Sequence, residues 1–459
     1  MEESFDELED DELDYKARDE KIRKLRIEAL RQMWNERAFG AVKTLLTSSD
    51  AASTIGWHLA DGVLEAEDAD QFLKQCLTVD DTSLLGKIDE LISGFIVRLD
   101  GNARREARQR LMPVLPPPQI SRLLRCSPFQ RETWLDVDAQ PPEVREQYWR
   151  EASPTWIMKG SPDLNESVDR LLEAERPRAA FHAVHFVLEE LETSRLKRLL
   201  HEISTCESEP ARTYQLDAYY ISSALDILQS RGVSEEEMAR LEFLYIRALS
   251  LSQHGIPNLE RQLSKSPSLF MHALALTYKR SDDGEDPPEW SLDTLENKEA
   301  VFLATYALLD RTKRIPGTAD DGTVNAAELK AWLTEVRSLC LKYGRAKIGD
   351  QRIGQMLSAP LLSKDGIWPC EAVREVLEEI GSPDIAISMG IGVYNSRGVH
   401  ARIKGGDQER EIANKYRNWS RQLAFDFPYV AKLVEQIAET YDSQAAWEDS
   451  QAALSRRFT

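Results

Sequence analysis

The sequence predicts an all-α protein, an irregular α-solenoid or a set of stacked antiparallel helical bundles, and three observations predict it. Apolar residues recur at spacings of three and four along most of the chain, the period of a helix that buries one stripe. No Asn-Gly or Asp-Gly turn is flanked by alternating β-branched runs, so hairpin signals are missing. The periodic segments are joined by short connections rich in Pro and Gly, which suits helices laid antiparallel to their neighbours. No fixed repeat period emerges.

In chain order, the nine acidic residues between Glu2 and Asp14, with no basic one among them, repel one another and offer little apolar surface, so residues 1–19 are expected as a solvated tail. A helical region is expected over 20–280. Its first stripe is Ile22, Leu25, Ile27, Leu30, Met33 and Trp34. Leu84, Leu85, Ile88, Leu91, Ile92 and Phe95 make a second, and Leu164, Val168, Leu171 and Leu172 a third that stops near Pro177. Ala179–Leu191, Leu196–Ile203 and Leu216–Leu228 read as three more helices, the last closing at Gly232 as a C-cap. Ser234 with Glu237 has the spacing of a capping box, opening the helix of Met238, Leu241, Leu244, Tyr245 and Leu249. The stretch SDDGEDPPE, acidic and carrying two prolines, marks a linker over 281–290, and a C-terminal helical domain follows over 291–459. Within it Asn325 and Glu328 form another capping box, and the apolar, Gly-containing stretch Ile385–Tyr394 fits helix or strand.

Composition removes several classes. At 42% hydrophobic and 30% charged the chain has material for sizeable cores, two to four units at about 100–200 residues each. With 58 Lys and Arg against 78 Asp and Glu, the net charge of −20 repels phosphate backbones and anionic lipid, which disfavours nucleic acid and membrane surfaces as partners. The five cysteines, Cys76, Cys126, Cys206, Cys340 and Cys370, are widely spaced with no CxxC pair, as expected of reduced, packed thiols. The opening Met1-Glu2-Glu3 lacks a basic segment followed by an apolar one, and the longest apolar stretches, such as Val301–Leu309, fall short of a membrane span. A cytoplasmic location is expected.

Motif chemistry is sparse. GxxxxGK[ST], HExxH and GxSxG are absent, and no cofactor or metal is expected. His182, His185 and Glu189 share a helical spacing suited to a metal, but they lie among Phe181, Val184 and Phe186, which favours a packed or interfacial role. Gly317–Glu328 places Asp321, Gly322, Asn325 and Glu328 at calcium-loop positions, yet Gly317 and Ala319 stand where two anionic ligands belong. Arg98, Arg104, Arg105, Arg108 and Arg110 form a basic cluster without interleaved aromatics, better suited to pairing with acidic helices.

The stretch of most unusual composition is Gly390–Arg410, GIGVYNSRGVHARIKGGDQER, with five glycines in a glycine-poor chain. Its backbone amides and cations could hold an anion or a partner, and the candidate binding residues are Arg397, His400, Arg402, Lys404, Gly405 and Gly406. The plainer reading is a long connection whose glycines supply positive-φ turns before a helix starting near Asp407.

From Pro116 onward, strings such as LLEAERPRAAFHAVHFVLEELETSRLKRLL, GIPNLERQL, KYGRAKIGDQRIGQMLSAP, DGIWPCEAVREVLEEI and GVYNSRGVHARIKGGDQEREIANKYRNWSRQL resemble the C-terminal helical region of large, poorly characterised bacterial proteins, over roughly three-quarters of the chain. The resemblance implies a helical-repeat segment, joined in larger relatives to an effector or nucleotide-driven module used in defence or signalling. This chain carries no phosphate-binding motif, so no nucleotide activity and no catalytic residue transfers to it. The expected function is a non-enzymatic scaffold or sensor that binds a protein partner through stacked helices. The alternatives are an enzyme built around Gly390–Arg410 with Asp365 or Asp407, and a nucleic-acid-associated module using Arg98–Arg110.

Overall fold

The computed structural model describes residues 15–206, 209, 214, 217–292, 297–396 and 406–458. Every element among them is helical, and the one β contact is an isolated bridge between Thr318 and Val324. The chain divides into two compact units, Met1–Leu216 and Asp217–Thr459.

The first unit begins with α1 (Tyr15–Arg37), α2 (Phe39–Ser48), α3 (Ala52–Gly62), α4 (Ala66–Leu77), α5 (Leu85–Arg98) and α6 (Gly101–Leu111). It continues with α7 (Pro117–Arg125), α8 (Arg131–Asp138), α9 (Pro142–Glu151), α10 (Leu164–Glu173), α11 (Pro177–Val184) and α12 (Thr193–Thr205). The second unit holds α13 (Ala218–Ser230), α14 (Glu235–Leu244), α15 (Pro257–Lys265), α16 (Pro267–Thr277), α17 (Lys298–Arg311) and α18 (Ala326–Lys342). It ends with α19 (Ala346–Leu357), α20 (Glu371–Ile380), α21 (Pro383–Asn395), α22 (Asp407–Leu423) and α23 (Pro428–Phe458).

Local signals start and stop these helices. Ser234 Oγ accepts from the Glu237 N–H, and Asn325 Oδ1 accepts from the N–H groups of Ala327 and Glu328, so orphan amides of α14 and α18 are satisfied as their spacing predicts. Gly381, in the left-handed region at φ 59°, closes α20. Gly232, at φ 73°, follows α13 in the same way.

Other helix starts depend on distant residues. α11, α15 and α23 each begin with Pro, whose missing N–H is no loss at that position. In each, the next two amides donate to one carboxylate from elsewhere: Arg178 and Ala179 to Glu209, Asn258 and Leu259 to Glu242, Tyr429 and Val430 to Glu378. The partial positive charge of a helix start favours an anion there.

Two pairs of helices cross at glycine. An added Cβ on Gly56 of α3 would lie 2.0 Å from the Leu91 carbonyl oxygen of α5, and one on Gly94 of α5 would lie 1.9 Å from the Ser53 carbonyl oxygen of α3. Around this crossing Phe72, Phe95, Leu59, Ile88, Leu91 and Ile92 form a buried core. In the second unit Gly354 of α19 meets the Ile385 carbonyl of α21, and Gly392 of α21 meets Ser358 beside α19.

Several expectations are corrected. The helix expected over Ala179–Leu191 ends at Val184, and a short 3-10 turn follows at Leu188–Glu190. The His185 imidazole bonds the His182 carbonyl through Nδ1 at 2.8 Å, drawing on an acceptor that a continuing helix would use for its own amide. Ile385–Tyr394 is helix, and so are Tyr15–Asp19, placed with the tail on composition; the rest of that tail, 1–14, lies outside the described residues. Apart from these corrections, the Ser281–Glu289 stretch read as a linker falls within the compact unit Asp217–Thr459. There Asp286 pairs with the buried Arg345 at 2.6 Å, and the Ser281 N–H donates to the Gly344 carbonyl at 2.8 Å.

Candidate partner-binding groove

Of the candidate binding residues, Arg397, His400, Arg402, Lys404 and Gly405 lie outside the described residues. Gly406 is described and buried: its N–H donates to Asp449 Oδ1 at 2.9 Å, and an added Cβ would lie 2.3 Å from the Ala445 carbonyl oxygen. It packs the start of α22 against α23. The reading of Gly390–Arg410 as one long connection is corrected at its first part. Gly390 and Gly392 lie inside α21, neither with positive φ, and Gly392 serves close packing.

α21 is apolar on two faces. Ile385, Ser388, Met389, Gly392 and Val393 are buried. A second stripe, Ile387, Gly390, Ile391 and Tyr394, follows the same helical spacing but stays open: Ile387 is 60% exposed and Ile391 47%. This explains why the sequence there shows no clean amphipathic period, since a helix apolar all round is ordinarily buried all round.

The open stripe faces α23. Ala386, Ile387, Gly390, Ile391 and Tyr394 of α21, with Leu433, Gln436, Ile437, Thr440 and Gln444 of α23, line a groove of about 370 Å³. None of these side chains carries a charge at neutral pH, in a chain that is 30% charged. At one end Tyr394 Oη donates to Gln444 Oε1 at 3.0 Å. Trp447, 54% exposed, continues the Gln436, Thr440, Gln444 stripe one turn along α23.

The α23 side of the groove holds none of the residues that the sequence singles out, although a signal exists. Gln436, Thr440 and Gln444 recur every four residues as a neutral line on a helix whose neighbouring positions are Lys432, Glu435, Glu439 and Asp442. Reading exposed faces for missing charge, as well as buried faces for apolar period, would have found it.

The remaining candidates have other partners. Arg98 pairs with Asp61, Arg108 with Glu132 and Asp136 at 2.8 and 2.6 Å, and Arg110 with Asp70 at 2.7 Å, so much of the basic cluster joins helices of the first unit. Asp365 is held by Arg374 at 2.7 Å, and that guanidinium keeps its carboxyl below the usual carboxylate range. Asp407 pairs with Arg410 at 2.6 Å. His182 and His185 join Trp156, Phe186 and Tyr214 in an aromatic cluster, with Trp156 5.0 Å from Phe186 and His182 4.8 Å from Tyr214. Glu189 lies beyond the end of α11, 3.9 Å from Lys159. Among the described residues no group of His, Cys, Asp and Glu is arranged to hold a metal ion.

All five cysteines are free thiols, four of them buried. Burial pushes the Cys126 and Cys340 thiols up to about 12, which keeps them protonated and poorly nucleophilic at neutral pH. No helix among the described residues is long and apolar enough to cross a membrane. Comparison with protein-family models, curated proteins and solved structures finds no match.

Proposed function

We propose that the protein is a non-enzymatic helical scaffold that recruits a protein partner through the α21–α23 groove. It would act in the cytoplasm, in a bacterial defence or signalling assembly of the kind its resemblance implies. The observation that carries this reading is the open apolar face of α21, uncharged along its length and bounded by neutral residues of α23. An apolar stripe left in water costs free energy that a covering surface recovers. A groove between two helices receives a third helix that offers apolar side chains at i, i+3 or i+4, and i+7. With no charge on the lining, the matching face of that helix is apolar or neutral as well, because a buried unpaired charge would be costly. The exposed Trp447 at the end of the stripe is the residue type most enriched in interface hot spots.

The test is site-specific photocrosslinking from position 391 in cells of the native host, with position 86, on an open part of α5, as control. The expected result is one discrete heterologous protein, joined through a segment with apolar helical spacing, and lost when Ile387→Asp is added to the chain that carries the crosslinker at 391, its circular dichroism unchanged. Crosslinks to a second copy of the chain alone, or none above the control, overturn the proposal.

A further inference from the structure

A second cleft, of about 360 Å³, lies within the second unit and is bounded by α15, the start of α16, the segment after α17, and α18. Its two walls carry opposite charge. Arg261 and Lys265 of α15 with Arg314 form one wall, and Glu328 and Glu335 of α18 form the other. Trp332, 5% exposed, lies between the two glutamates on the same helix face. The Gly317–Glu328 stretch that superficially matches a calcium loop contributes Gly317, Thr318 and Glu328 to this cleft.

The charges are unequally neutralised. Lys265 and Arg261 both pair with Glu235 of α14, at 3.0 and 3.4 Å. Glu328 accepts from the Asn325 side chain at 3.3 Å. Arg314 donates to the Thr318 carbonyl and acts electrostatically on the largely buried Glu260 without a direct ion-pair contact, and Glu335 has no hydrogen-bond or ion-pair partner among the described residues. Arg314 and Glu335 thus line a single cleft with no ion pair between them. The Trp332 indole N–H and the Nε–H groups of Arg261 and Arg314 are also buried without an acceptor. Buried donors are ordinarily satisfied by protein, ordered water or ligand.

We infer that this cleft binds a small zwitterion of the free α-amino-acid class, its carboxylate held by Arg314 and its ammonium by Glu335. The volume is at the small end of ligand pockets, which suits a molecule of that size. A simple oxyanion would satisfy Arg314 but meet Glu328 and Glu335. A simple cation would meet three basic side chains. A molecule carrying both charges satisfies both walls. Such a site would make the scaffold responsive to a small metabolite, and it is independent of the α21–α23 groove.

The experiment is isothermal titration calorimetry of the full chain against each of the twenty free amino acids at millimolar concentration, and against inorganic phosphate. At least one amino acid is expected to bind saturably, while its N-acetyl and carboxamide derivatives, each lacking one charge, do not. Glu335→Gln, at an exposed position, and Arg314→Gln are each expected to weaken binding about tenfold or more, and Ile391→Asp to leave it unchanged. Glu335→Gln decides the outcome if Arg314→Gln fails to fold. The inference is overturned if no amino acid binds, if phosphate binds in their place, or if affinity survives Glu335→Gln.

Discussion

His254 is enclosed between two carboxylates, its Nδ1 2.7 Å from Asp226 Oδ1 and its Nε2 3.3 Å from Glu242 Oε1. Burial opposes the charged ring, but Glu242 and Asp226 prevail and hold its pKa above the usual histidine value. The folded chain thus binds this proton more tightly than the unfolded chain does, so the contribution to stability is complete below about pH 6.5 and fades as pH rises through the folded value. His254→Gln is expected to flatten that component, seen as a smaller difference between urea midpoints at pH 6 and pH 8 than in the parent. An equal difference in the two proteins would remove His254 from the account. Glu242 also caps α15 through Asn258 and Leu259, which links the imidazolium to a helix start. No sequence pattern announces such a cap. Ser234 and Asn325 are legible because they and the amides they bind lie within three residues. Glu209, Glu242 and Glu378 stand 16 to 52 residues from the amides they satisfy, and only the tertiary fold brings them there.

At the scale of elements, the α3–α5 crossing separates two kinds of helix glycine. Gly94 has the Ser53 carbonyl oxygen where a Cβ would go, whereas Gly86, earlier in the same helix, has nothing within 4 Å. Gly94→Val forces the helices apart and is expected to cost about 3 kcal/mol or more. Gly86→Ala is expected to stabilise by about 0.5–1 kcal/mol, because alanine restricts the unfolded chain and favours helix. Chemical denaturation of both variants checks the pair, and equal effects of the same sign would contradict the crossing. In the sequence both glycines read alike, as interruptions of an apolar stripe. The α5 stripe itself was legible because Ile88, Leu91, Ile92 and Phe95 follow the helical period and all are buried. The open face of α21 was not, because its two apolar faces together erase the period that identifies a single buried stripe.

For the chain as a whole, the all-α class was legible because most of its helices carry their own period, while the division of the chain depends on contacts that no local pattern records. Ser281–Glu289 has the acidity and prolines of a linker, yet Asp286 bonds both Arg345 and Arg280 and keeps the stretch within the second unit. The division falls instead between Leu216 and Asp217, where composition shows no comparable change. Each unit has its own buried apolar residues, such as Phe72, Phe95 and Trp134 in the first and Phe270, Leu333 and Val434 in the second. A unit with its own core has the means to fold alone. Residues 217–459 expressed separately are therefore expected to give a helical circular dichroism spectrum and a cooperative urea transition. A chain cut at 281, which severs Asp286 from Arg280, is expected to melt over a broader range. If the 217–459 chain is unfolded while one beginning at 281 folds cooperatively, the acidic stretch is the true boundary. The bonds from Asp286 would then be surface contacts between domains.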